Sequence, residues 1–335
     1  FGKVKHELDL KNFVRDTLED SGLAVTGLSN YLICPWQYFY RTLLRIPEPQ
    51  TTPLMYGNAI HRTLKFFFDS FALKKDLSKK ELIERFKIEI SKESMTDKEL
   101  AEARSAGEKA IDGYYEHYFP NWERNIKSEF PVNVTLPIGN FELRLTGKLD
   151  KVEFLDEGGV RVVDYKTGKT KTRNYIEGKT TEKGSGDYKR QLTFYKLLLD
   201  RYGKDSSGKE GSPLSFSRGL PSGHFNMKSG VIDFIEPDEK GRYHREEFEV
   251  TETEVKELEE VIKKTVEEIL NLSFWDKRCD EKECEYCGVK AIEKKLNWAN
   301  SNHKYKRILN DFISLCISCH RKHDYKLRKY GYTCN

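Results

Sequence analysis

No run in this 335-residue chain reaches the roughly 18 consecutive apolar residues that a membrane-spanning helix needs. Nor does it open with the basic, apolar and small-residue series of a secretory signal. Phe1 stands where a start methionine would, as expected of a piece of a longer chain. Cysteine is sparse at seven, an odd number, and four of the seven fall in two CxxC pairs. That pattern argues against a disulfide framework and for metal ligation in a reducing, cytoplasmic setting. No internal repeat is present. Two GK[ST] tripeptides, at 168–170 and 178–180, lack the glycine five residues earlier that a phosphate-cradling Walker loop requires, so no ATPase is expected here.

Charge, by contrast, is plentiful at 33% of residues, and it is unevenly placed. Residues 288–335 carry eleven lysines and arginines against three acidic residues, so the net charge of +4 leaves the first 287 residues mildly acidic. A basic tail on an acidic body points to a polyanionic partner.

Periodicity divides the chain. Apolar residues recur at helical spacing in "LSNYLICPWQYFYRTLL" (28–44), with Pro35 suited to a first turn, and a second helix starts near "YGNAIHRTLKFFFDSF". Residues 78–127 are charge-rich and helical, as in an insertion or lid. Then the period changes to that of strands in "EFPVNVTLPI", "FELRLTGKLDKVEFL" and "VRVVDYKTG", a meander. A helix over 187–202, a Gly/Ser-rich loop, two further strands ("GVIDFIEP", "EEFEV") and a charged closing helix complete an α/β pattern: a central mixed sheet flanked by helices.

The chemistry gathers at one turn. If Asp156, Glu157 and Gly158 form the loop between the two central strands, with Gly158 left-handed, Leu155 pairs with Gly159 and Asp150 faces Asp164. Directly opposed residues have Cβ atoms roughly 4.5–5.5 Å apart. Lys166 shares their face, because side chains alternate along a strand. Two carboxylates at this distance raise each other's pKa unless something positive lies between them. Oxygen ligands of this kind suit Mg²⁺ or Mn²⁺. Gln191 and Tyr195, four apart, lie on one face of the following helix.

The series "GNAIH", "GKLD", "DYKTGK" and "QLTFY" resembles the motifs of RecB-family nucleases, a branch of the PD-(D/E)XK superfamily, and most closely the nuclease domain at the C-terminal end of UvrD/Rep-type, AddB-like helicases. The resemblance covers about residues 22–287. It implies a restriction-endonuclease-like core with a helical insertion. His61, Asp150 and Asp164 then hold Mg²⁺ or Mn²⁺, Lys166 is the catalytic lysine, and Gln191 and Tyr195 support the site. It implies a DNA nuclease, of exonuclease type, acting in repair or recombination beside a helicase motor in the same longer chain or on a partner, and no membrane.

The cysteines carry two readings. "CEYCG" (284–288) and "CISCH" (316–320) make two CxxC pairs, read as a four-thiolate Zn²⁺ site of Cys284, Cys287, Cys316 and Cys319. The surrounding stretch resembles the zinc-bound core of HNH-type proteins, with His303 as the first histidine and His320 or His323 as the last, although Asp311 rather than Asn310 stands in the expected register. On this reading Cys34 and Cys279 are ordinary thiols. In the alternative, implied by the AddB-like resemblance, Cys34, Cys279, Cys284 and Cys287 hold a [4Fe–4S] cluster, although the family's last cysteine is replaced by Glu293. The expected organisation is a segment or linker over 1–21, a nuclease domain over 22–283 and an HNH-like zinc module over 284–335.

Overall fold

The computed structural model describes residues 2–203 and 225–291. They fall into two compact units, one of residues 50–203 with 225–261 and the other of residues 2–49 with 262–291. Among the described residues no helix is long and apolar enough to cross a membrane.

Within the stretch 1–21, expected as a segment or linker, residues 2–21 form the helix α1 (Gly2–Ser21). Its Leu10, Val14 and Leu18, spaced by four, are buried along one stripe. The short strand β1 (Leu23–Ala24) and the helix α2 (Val25–Ile33) follow. The single helix expected over 28–44 is broken: Cys34 is extended (φ −158°, ψ 118°), and Pro35 then opens α3 (Pro35–Tyr38), which runs on as a π-helical turn through Leu43. A proline crowds the residue before it out of helical geometry. Cys34 is therefore held out of helix register and buried.

The larger unit begins with α4 (Thr52–Ala72), followed by α5 (Lys79–Ile90) and α6 (Asp97–Tyr118). Capping boxes start the latter two, with Ser78 and Glu81 at one and Thr96 and Glu99 at the other. These helices are not a lid. Leu82, Phe86 and Ile90 of α5 are buried in one apolar cluster with Ile60, Leu64, Phe67 and Phe68 of α4. Phe86 lies so close to Gly107 of α6 that any Cβ there would meet its ring at 2.1 Å.

Strands β2 (Ile126–Ile138) and β3 (Phe141–Phe154) form a long hairpin closed by the two-residue turn Gly139–Asn140, with Gly139 at φ +56°. A 3₁₀ turn, Asp156–Gly158, leads into β4 (Gly159–Lys166), with Gly158 at φ +72° and the Leu155 amide bonded to the Gly159 carbonyl at 2.8 Å. The register is the expected one: Lys151 pairs with Val163 and Phe154 with Val160. Strand β5 (Asn226–Phe234) is parallel to β4, and β6 (Arg245–Phe248) is antiparallel to β5. A parallel neighbour demands a crossover. Helices α7 (Arg173–Ile176) and α8 (Asp187–Arg201) lie within it. In this unit the strand order is β2–β3–β4–β5–β6.

Helices cover both faces of this sheet. Val163 and Tyr165 of β4 and Val231 of β5 join the α4–α6 cluster, whereas α8 reaches Asp164 and Lys166, the alternate residues of β4. Glycines let α8 approach closely, since a Cβ at Gly147 would meet Leu198 at 2.4 Å and one at Gly230 would meet Leu192 at 2.9 Å. The closing helix is α9 (Glu252–Leu270).

Candidate active site and thiolate cluster

At the end of β4 three elements converge on two carboxylates. The β3–β4 pairing ends at Lys151 and Val163, one step before Asp150 and Asp164, and Asp150 Oδ2 accepts the Tyr165 amide at 3.0 Å. From α4, His61 Nδ1 lies 3.3 Å from Asp150 Oδ1. Burial works to lower the His61 pKa, but the bonded Asp150 carboxylate outweighs it and holds the imidazole above its ordinary value.

Asp164 is 1% exposed and belongs to a closed ring of interactions. Its Oδ2 lies 2.6 Å from Lys166 Nζ, Lys166 donates to Gln191 Oε1 at 2.7 Å, Gln191 Nε2 donates to the Tyr195 hydroxyl at 2.7 Å, and that hydroxyl donates to Asp164 Oδ1 at 3.1 Å. Each donor has an acceptor, which dictates the orientation of the glutamine amide. Helix α8 presents Tyr188, Gln191 and Tyr195 on one face at spacings of three and four. The Lys166 ammonium also sits 4.6 Å from the centre of the Tyr188 ring. Burial raises the Asp164 carboxyl against the pull of Lys166. For Lys166 the balance falls the other way: burial lowers the ammonium, but the facing Asp164 carboxylate carries it above its usual value.

One member of the site escaped the sequence reading. Glu129 of β2 offers a carboxylate oxygen which, with atoms of His61 and Asp150, makes a trio all within 4.8 Å of one another. Its backbone is left-handed (φ +50°) in the middle of a strand, a conformation that a non-glycine residue adopts only when its surroundings impose it. Lys148 forms an ion pair with it. A signal was available in the two-residue turn at Gly139–Asn140: Ile138 pairs with Phe141, and the same register continued down the hairpin brings position 129 beside Asp150. Hard oxygen donors with one imidazole suit Mg²⁺ or Mn²⁺. The structure thus groups His61 and Asp150 with Glu129, and Asp164 with Lys166, Gln191 and Tyr195.

The cysteines gather elsewhere, within the smaller unit. Cys34, Cys279, Cys284 and Cys287 bring their sulfurs within 4.8 Å of one another. This corrects the expectation that Cys34 and Cys279 are ordinary thiols: the extended backbone forced by Pro35 carries Cys34 into the group, and no spacing rule along the chain reveals that. Cys316 and Cys319, with His303, His320 and His323, lie outside the described residues. Burial pushes the Cys34 and Cys279 thiols up. Burial acts the same way on Cys284, but the Cys287 amide and the neighbouring thiols outweigh it and leave Cys284 below the usual thiol value.

A helix-flanked mixed sheet, with paired acids and a braced lysine at the strand ends, defines the class as an α/β protein built around a carboxylate–lysine site. The chain belongs to the PD-(D/E)XK nuclease superfamily, whose family model matches residues 22–292. No curated protein matches it. Among solved structures it is similar to a candidate exonuclease of Eubacterium rectale, at 12% identity and a TM-score of 0.45 over 80% of this chain and 87% of that one. It is also similar to the protein SSO0001, at 14% identity and a TM-score of 0.31 over 80% and 91% of the two chains.

Proposed function

We propose that this chain is a metal-dependent DNA nuclease of the RecB type that hydrolyses phosphodiester bonds, acting as an exonuclease beside a UvrD/Rep-type helicase motor in cytoplasmic DNA repair or recombination. The ring that holds Asp164 and Lys166 beside the His61–Glu129–Asp150 trio carries the reading. Mg²⁺ or Mn²⁺ held by His61, Glu129, Asp150 and Asp164 would supply a Lewis acid for the phosphoryl oxygens and lower the pKa of an attacking water.

The chain's own residues do the rest. Asp164 and Gln191 keep the Lys166 ammonium charged and aimed, so that it orients the attacking water or offsets charge developing on phosphorus. Tyr195 couples Gln191 to Asp164, so lysine and carboxylate are positioned as one unit. Beyond Lys166, residues 167–190 contain seven lysines and arginines against three acids, a path for a phosphodiester backbone. Gly168, at φ +93°, turns the chain there without a side chain in the way.

The purified chain is expected to degrade end-labelled DNA with Mg²⁺ or Mn²⁺ and to stop when EDTA is added. Binding of DNA without cleavage under every metal condition would reduce the chain to a scaffold. A second, smaller effect follows from the ring. Tyr195→Phe removes the hydroxyl that Gln191 and Asp164 share, a charge-assisted bond worth about 1.5–3 kcal/mol. The cleavage rate should then fall about 10- to 100-fold with KM nearly unchanged, and the urea midpoint should fall as well, because Asp164 and Gln191 lose a buried partner. A variant as fast as the parent would show that the ring has no part in catalysis.

A further inference from the structure

The thiolate cluster departs from what the AddB-like resemblance implies, and the departure lies in its dimensions. Sulfur–sulfur separations are 3.7 Å between Cys34 and Cys287, 3.7 Å between Cys279 and Cys287, and 3.6 Å between Cys284 and Cys34. A single tetrahedral Zn²⁺, with bonds of about 2.3 Å to thiolate, sets its four sulfurs about 3.8 Å apart. A [4Fe–4S] cubane gives each thiolate a different iron, on the outside of a cluster that must itself fit between the ligands, so the sulfurs stand roughly 6 Å apart or more. All four sulfurs here lie within 4.8 Å, too close to enclose a cubane.

We propose that Cys34, Cys279, Cys284 and Cys287 bind one zinc ion as a closed, structural four-thiolate site, in place of the iron–sulfur cluster that the resemblance implies and without Cys316 or Cys319.

The surroundings fit a structural ion. Cys34, Cys284 and Cys287 are buried, and Cys279 is the one partly exposed ligand. Trp36, 1% exposed, follows Cys34 by two residues and packs against Phe274 and Trp275, which precede Cys279, with ring centres 5.5 and 5.0 Å away. Cys284 stands just before the helical residues 285–291 and Cys287 lies in their first turn, where the Gly288 amide is bonded to the Cys284 carbonyl at 2.9 Å. Four thiolates satisfy a tetrahedral ion and leave no position open for substrate, so the ion's part is to staple Cys34 to a segment some 250 positions away in the chain. This proposal stands apart from the nuclease reading.

The test uses the full chain purified without oxygen, so that a cluster, if present, survives. Metal analysis should give zinc without iron or acid-labile sulfide, and zinc-edge X-ray absorption should show four sulfurs at about 2.3 Å. Cys34→Ser and Cys279→Ser should each cost one equivalent of zinc per chain, while the double variant Cys316→Ser/Cys319→Ser keeps that equivalent. Because Cys34→Ser alters a buried position, Cys279→Ser and cobalt exchange into the unmutated chain, read by its thiolate charge-transfer bands, carry the same test without it. Iron at these thiolates, with or without sulfide, would overturn the proposal. So would zinc that survives both single substitutions and is lost from the double variant.

Discussion

Asp164→Asn and Lys166→Met are each expected to lower Mg²⁺- or Mn²⁺-dependent DNA cleavage by about 10²–10³-fold or more. Asp164 is buried at the end of β4, with one oxygen ion-paired to Lys166 and the other accepting from Tyr195. An amide in its place keeps the shape but not the charge, so it neither anchors the ammonium nor serves as an anionic metal ligand. Lys166→Met keeps most of the stem and deletes the only cation in the ring, leaving Gln191 Oε1 without its donor. The fold should survive both changes. Steady-state cleavage assays, with circular dichroism to confirm folding, read the outcome. An Asp164→Asn protein that cuts at the parent rate would remove this carboxylate from the reaction.

The largest expected effect on stability lies on the other side of the sheet. Lys151 and Glu153 are 1% and 2% exposed and 2.8 Å apart, Arg161 and Arg245 also reach Glu153, at 3.3 and 3.5 Å, and the Lys151 ammonium lies 4.3 Å from the centre of the Phe68 ring. Burial alone would raise the Glu153 carboxyl, but Lys151, Arg245 and Arg161 outweigh it and hold it below the ordinary glutamate value. Glu153→Ala leaves Lys151 buried without its counter-charge. Breaking a buried pair in this way costs about 3–5 kcal/mol. The urea midpoint should drop accordingly with an unchanged slope, and Lys151→Met added to Glu153→Ala should recover part of the loss. The sign of the pH dependence follows as well. A carboxyl whose folded pKa is depressed stabilises the fold above its unfolded pKa of about 4.3, and that contribution fades as the pH falls below it. In the Glu153→Ala protein this share of the acid sensitivity should be missing. A midpoint within experimental error of the parent would show that the charges contribute nothing net.

How much of this was legible beforehand depends on the range of the forces involved. The β3–β4 register was readable because Gly158 is the residue that tolerates the left-handed position of its turn, and one slip would reverse every side chain. That placed Asp150, Asp164 and Lys166 together. The helical repeat likewise put Gln191 and Tyr195 on one face of α8. These are local rules, decided by residues a few positions apart. Glu129 was missed because its left-handed backbone in mid-strand is imposed by its neighbours in space, although the Gly139–Asn140 turn already set position 129 in register with Asp150. An alternating strand pattern gives no sign that Lys151 and Glu153 are buried as a pair. The cysteines show the division most sharply. Spacing along the chain links Cys284 to Cys287 and offers Cys316 and Cys319 as partners, the AddB-like resemblance offers Cys34 and Cys279 instead, and the folded unit brings the latter two to Cys284 and Cys287. Periodicity and turn chemistry act through the nearest bonds, so they could be read in one dimension. Which distant side chains meet depends on how whole elements pack, and only the tertiary structure decided it.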